Sequence, residues 1–144
     1  MMIHYHQSIQ DQLIYHEGIQ LKPYKCPAGK LTIGVGRNLD DTGISCQEAM
    51  HLLKNDIENC EADLMYFFGR DVFLSFPDGR KRALIDLRFN IGPTRFRGFQ
   101  KMISSVRRGD WTEAAAQLKD SLWWKQVQAN RRDTLYHQLL TGEP

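Results

Sequence analysis

The run that begins Ser45-Cys46-Gln47-Glu48 constrains this chain more than any other feature. A serine followed three residues later by a glutamate is a capping box, in which each side chain satisfies a backbone N–H at a helix start. Behind it Ala49, Leu52, Leu53, Ile57, Cys60 and Leu64 recur every three to four residues, which predicts one helix from about 46 to 67, ended by Gly69. A helix of that length divides 144 residues into two unequal parts of different texture. Before it the chain is short and glycine-punctuated. After it the pattern is helical almost to the end.

In the earlier part, Ile3, Ile9, Leu13 and Ile14 form a helical stripe over 3–16, and Gly18 is a natural stop. LKPYKC and KLTIGVG follow, separated by Pro27-Ala28-Gly29, which predicts a hairpin. Leu31, Ile33 and Val35 alternate with Thr32, Gly34 and Gly36. That alternation predicts an apolar face and an open face where a bulky ligand approaches the backbone beside Thr32. Arg37 to Gly43 reads as a polar loop. In the later part, helices are predicted near 78–91, 99–107, 111–119 and 131–140, with a loop around Ser75-Phe76-Pro77 and breaks at Gly92-Pro93 and Arg108-Gly109-Asp110. Neither an internal repeat nor a low-complexity linker is visible.

An apolar fraction of 42% and a charged fraction of 25% are those of a folded globular chain. No apolar run approaches a membrane span, and the first residues lack a signal peptide's basic start and apolar stretch, which predicts synthesis into the cytoplasm. Charge is uneven. Residues 1–64 hold five Lys/Arg against nine Asp/Glu, and residues 65–144 hold fourteen against eight. The excess suits an anionic partner, and a solvated helical surface explains it equally simply. Cys26, Cys46 and Cys60 are odd in number and match no zinc spacing, so reduced thiols are expected, with Cys46 and Cys60 as small buried side chains of the long helix.

Three familiar motifs fail on inspection. His16-Glu17 would begin a zinc-binding His-Glu-x-x-His helix, but the second histidine position is Gln20 and Gly18 breaks the helix. His4 and His6 stand two apart and share no helical face. GKLTIGVG lacks the third glycine or the Gly-Lys-Ser/Thr of a phosphate loop. What remains is an acid at a helix end. The negative pole of that helix, with desolvation by Tyr15 and Ile19, favours a protonated Glu17, the form a general acid needs.

Glu17, eight residues, Cys26, five residues, Thr32: this spacing, within HEGIQLKPYKCPAGKLTIGVGR, resembles the signature of the phage-type lysozymes, glycoside hydrolase family 24. The likeness continues through ALIDLRFNIG, GFQKMISSVRRGDWTEAAAQL, WWKQ and NRRDTLYHQLLTG, covering nearly the whole chain. The resemblance implies a mostly helical α+β, lysozyme-like fold over residues 1–144. Its parts would be a hairpin lobe at about 18–45, a connecting helix at about 46–67, and a helical lobe at about 68–144 that includes the N-terminal helix. It implies hydrolysis of the β-1,4 bond between N-acetylmuramic acid and N-acetylglucosamine in peptidoglycan, by a monomer without cofactor or metal. It implies neither a nucleic-acid partner nor stable membrane insertion. An endolysin held in the host cytoplasm would reach the wall through a lesion made by a separate holin-like protein.

Carried over by position, Glu17 matches the acid that protonates the leaving oxygen and Thr32 the hydroxyl that places the attacking water. Arg131 matches an arginine that pairs with the acid, with Arg132 the alternative because one residue is inserted before Asn130. Phe89 and Asn90 match positions near the cleft wall. T-even phage members have aspartate where Cys26 stands and histidine where Arg37 stands. Arg37 would alter only a supporting ion pair. Cys26 reaches the chemistry, since glycosidases ordinarily use two carboxylates. It acts as a thiolate, or as a neutral spacer, or leaves the second charge to Asp40 or Asp41; the reactivity of thiolates favours a direct role. A lytic transglycosylase, which needs a single glutamate, is the rival enzyme. A non-catalytic wall-binding module using Arg80-Lys81-Arg82, Arg95, Arg97 and Arg107-Arg108 is the rival outside catalysis.

Overall fold

The computed structural model describes residues 2, 3 and 5–144; His4 lies outside the described residues. The chain divides into two compact units, residues 1–51 and 52–144. The division falls inside the long helix, α2 (Cys46–Phe68).

The first unit contains α1 (Ile9–Glu17) and a three-stranded antiparallel sheet of β1 (Gln20–Lys25), β2 (Leu31–Gly34) and β3 (Arg37–Asn38) in that order. The helix begins later than the stripe from Ile3 predicts, because Ser8 caps it and accepts from the Asp11 N–H at 3.1 Å. The stripe itself is not buried: Ile9, Leu13 and Ile14 are all exposed. In the sheet, Tyr24 stands opposite Thr32, and Thr32 opposite Asn38. The third strand occupies what reads as loop, since two residues are too short a run to show a period of two. The α2 capping box forms as its sequence predicts: Ser45 Oγ accepts from Glu48 N at 3.1 Å, and Glu48 Oε1 accepts from Ser45 N at 2.9 Å.

The second unit completes α2 and adds α3 (Arg70–Ser75), α4 (Asp78–Arg97), α5 (Gln100–Arg107), α6 (Trp111–Lys119), α7 (Leu122–Gln126) and α8 (Ala129–Thr141). Helix α4 is two helices joined at Gly92, whose φ of 81° and ψ of 171° interrupt the spiral before Pro93, where the sequence predicts a break. The short helices α3 and α7 are not apparent in the pattern, because five or six residues carry too little periodicity. Leu64, Phe73, Leu84, Leu87, Phe96, Met102, Leu118, Leu135 and Leu139 are almost fully buried in one core, where α4 packs on α8 and α6 on both α5 and α8. Arg88 Nε donates to Asp63 Oδ2 at 2.6 Å, fastening α4 to α2. Cys60 is buried as expected. Cys46 is exposed, because it sits in the first turn of α2, before that helix has any buried residue.

Several cations of the anchoring patch have internal partners. Arg80 lies 4.7 Å from the Trp111 ring and donates to the Leu139 carbonyl at 2.9 Å, Arg82 pairs with Asp78, and Arg107 donates to the Phe67 carbonyl. Arg80 and Arg107 thus tie one helix to another, while the Arg82–Asp78 pair lies within α4. Among the described residues no helix is long and apolar enough to cross a membrane.

Candidate active site

Glu17 is the last residue of α1, and Gly18, at φ 75°, ends the helix by donating its N–H to the Ile14 carbonyl at 2.7 Å. The glutamate is exposed, and its side chain lies along Gly36. A methyl group at Gly36 would stand 2.9 Å from Glu17 Oε2 and 3.2 Å from its Cδ. Tyr15, on α1, and Ile19, just beyond it, are both more than half exposed, and α1 has no buried residue. Tyr15 instead packs against the rings of His6 and His16, at centroid distances of 5.0 and 5.8 Å.

Cys26 and Thr32 come together in the hairpin. Past the end of β1 the turn closes with Gly29 N donating to Cys26 O at 2.8 Å and Cys26 N donating to Lys30 O at 2.9 Å, with Pro27 at its second position. Backbone hydrogen bonding from Lys30, more than from Ala28, holds the Cys26 thiol below its ordinary pKa, against a smaller opposing effect of burial; the Thr32 hydroxyl acts in the same direction. Thr32 is only 4% exposed, and its hydroxyl donates to the Lys30 carbonyl at 2.9 Å. The face assignment from alternation is therefore inverted here: Leu31 and Val35 are exposed, and Thr32 is the covered side chain. Among the described residues of the first unit no apolar side chain is buried, and the Thr32 hydroxyl is satisfied within the turn by the Lys30 carbonyl.

Loop carboxylates proposed as substitutes for a second acid are already engaged. Asp40 Oδ2 accepts from the Leu31 N–H at 2.7 Å, while Asp41 pairs with Lys30 at 3.1 Å and accepts from Asn38 Nδ2 at 2.9 Å. Arg37 makes a two-pronged pair with Glu48, at 2.9 and 2.8 Å, and donates to the Gly43 carbonyl at 3.1 Å. That guanidinium, aided by Ser45, lowers the Glu48 carboxyl pKa to about 2.

In the second unit, Phe89 and Arg131 line one cavity of about 400 Å³ together with Ile57, Ile85 and Asp86. Phe89 is 44% exposed, offering a ring face. Asn90 Oδ1 accepts from the indole N–H of the buried Trp123 at 2.8 Å. Arg131 Nε donates to Asp86 Oδ1 at 2.7 Å. Arg132 sits 5.3 Å from the Trp124 ring and donates to that residue's carbonyl. Asp86 went unnoticed in the sequence; its place three and four residues before Phe89 and Asn90, on one face of α4, is the signal that could have found it.

A small three-stranded antiparallel sheet in the first unit and a mostly helical second unit define a lysozyme-like α+β protein. Residues 15–138 match the family described as phage lysozyme. Two probable T4-type lysozymes of Dictyostelium discoideum, numbered 2 and 1, are each 26% identical to the chain. The alignments cover 81% of this chain and 84% of the relative in the first case, and 94% and 95% in the second. The endolysin of Acyrthosiphon pisum secondary endosymbiont phage 1 is 28% identical over 83% of this chain and 78% of its own length. The chain belongs to the phage lysozyme family and is a peptidoglycan-hydrolysing glycosidase.

Proposed function

We propose that Glu17 is the general acid of this muramidase, and that Cys26 and Thr32 prepare the water that attacks the sugar. Glu17 gives its proton to the glycosidic oxygen between N-acetylmuramic acid and N-acetylglucosamine as the bond to the anomeric carbon breaks. A water accepted by Thr32 loses a proton to the Cys26 thiolate and adds to the cationic anomeric carbon, and the proton returns to Glu17 through solvent. The lowered thiol, with a hydroxyl beside it in the same hairpin, carries this reading over a spacer role. The prior engagement of Asp40 and Asp41 favours it over a loop carboxylate. Phe89, Asn90 and Arg131 are proposed as glycan contacts, the exposed Phe89 ring serving as a stacking surface.

The chain is proposed to work as a single lysozyme domain and a monomer. The name endolysin carried by its phage relative supports residence in the host cytoplasm until a separate holin-like protein opens the way to the wall.

Glu17→Gln is expected to abolish clearing of a cell-wall suspension while binding to sedimented walls survives; retained clearing rejects the acid assignment. Cys26→Ala is expected to be nearly inactive and Cys26→Asp partly active. In the native enzyme the rate should rise with pH through a thiol titration below the ordinary 9.0, a limb absent from Cys26→Asp. Full activity of Cys26→Ala reduces the sulfur to a spacer. An inverted first product supports activated water, and a retained one points instead to a covalent thioglycoside or a transglycosylase-like path.

A further inference from the structure

Five glycines of the first unit, at 18, 29, 34, 36 and 43, share a left-handed backbone with φ between 63° and 78°. Four of them face open space where a side chain would project. Only Gly36 does not: Oε2, Cδ and Cγ of Glu17 run past it at 2.9, 3.2 and 3.3 Å from where a methyl would stand. Left-handed geometry explains a glycine at all five positions. It does not explain why one of them is the surface against which the acid lies. From this we infer that Gly36 is the positioning residue for the catalytic acid: its bare backbone is the wall that sets where the Glu17 carboxyl stands. The inference rests on Glu17 being the acid proposed above.

A wall positions only if it is itself fixed, and this one is. Ile33 pairs with Arg37 across β2 and β3, closing the tight Gly34-Val35-Gly36 connection. Arg37, the next residue, is tied by both arms of its guanidinium to Glu48 and by one of them to the Gly43 carbonyl. Glu48 in turn closes the capping box of α2 with Ser45. Position therefore passes from the start of the long helix through Arg37 to the Gly36 backbone and so to the carboxyl. Proton transfer demands placement of the acid to within about half an ångström. An added methyl at 2.9 Å cannot be accommodated by a fixed turn, so the carboxyl moves.

Steady-state kinetics on purified peptidoglycan fragments test the inference. Gly36→Ala is expected to lower kcat by roughly a hundredfold, the scale of an ångström's misplacement, while KM stays within about twofold. Gly109→Ala is the control for backbone strain, because Gly109 has φ 73° with nothing near its missing side chain; it should lose similar thermal stability and keep its kcat. The decisive readout is the double variant. With Glu17→Asp, whose carboxyl is one methylene shorter, Gly36→Ala should cost less than about threefold. An equal loss in both backgrounds overturns the inference in favour of strain alone. An unchanged kcat in Gly36→Ala beside an inactive Glu17→Gln overturns it while leaving the acid assignment standing. An active Glu17→Gln removes the acid assignment instead.

Discussion

Every apolar side chain buried among the described residues belongs to positions 52–144, whereas in positions 1–51 the one buried side chain is Thr32, a candidate for the chemistry. The two units are held by different forces. The helical unit follows the usual economy of a globular domain, with leucine, phenylalanine and methionine withdrawn from water at about 25 cal/mol per Å². Among its described residues the hairpin unit has no such core. Its order comes from a closed turn at Cys26, carboxylates on backbone N–H groups, the capping box and the Arg37–Glu48 pair. Cys26 and Thr32 are accordingly held by hydrogen bonds, so their geometry is open to solvent, salt and proton in a way the helical core is not.

The largest expected effect tests the helical side. Phe96 is wholly buried, next to Phe67 at a centroid distance of 5.6 Å. Phe96→Ala should cost about 3–5 kcal/mol by lost transfer energy and the cavity left behind. Thermal unfolding followed by circular dichroism reads this as a fall in midpoint of about 10 °C, on the scale of roughly 2–4 °C per kcal/mol for a chain near this length. A shift of only a degree or two would mean that the apolar core is not what distinguishes the units.

The next effect is smaller and belongs to the hairpin side. Ser45→Ala removes the hydroxyl that accepts from Glu48 N, at an expected cost of about 1 kcal/mol. Urea unfolding measures the loss, and hydrogen exchange should quicken at the Glu48 amide while the α4 amides stay protected. If Ser45→Ala proved as damaging as Phe96→Ala, the first unit would have to carry far more cooperative structure than its polar contacts imply.

The same contrast explains what the sequence made legible. Local devices could be read directly, because their partners lie within a few residues: Gly18 ending α1, Pro27 in the turn, Ser45 and Glu48 closing the box, Gly92 breaking α4. The lysozyme-like fold was readable through family resemblance over most of the chain. Among the site residues, the nearness of Cys26 to Thr32 followed from one hairpin. What escaped were pairings set by tertiary placement. Nothing in the order of residues says that Arg131 meets Asp86, forty-five positions away, or that Asn90 caps the Trp123 indole. Alternation failed along β2 for a physical reason as well: period two predicts a buried aliphatic face only where a core exists to receive it, and the described residues of 1–51 bury no apolar side chain.

The smallest effect is the most selective. The Glu48 carboxyl titrates at 4.5 when free and at about 2 when Arg37 and Ser45 hold it. Its depressed value means that the unfolded chain takes up the proton first on acidification. The stabilisation is therefore complete above pH 4.5, fades as pH falls, and is gone below pH 2. Both partners keep more than a third of their side-chain surface in water, so solvent and salt keep the global contribution small. Its local consequence should still be measurable, because this pair anchors the turn that carries Gly36. Between pH 4.5 and 2, the Arg37 side-chain N–H resonances should lose their protection from exchange while the methyl resonances of Leu84 and Leu135 in the helical core stay unchanged. In Glu48→Gln that acid step should vanish, leaving Arg37 exchanging freely throughout. If the core methyl groups moved together with Arg37, the two units would share one cooperative response to acid, and the division between a polar and an apolar unit would fail at the point where it bears most directly on catalysis.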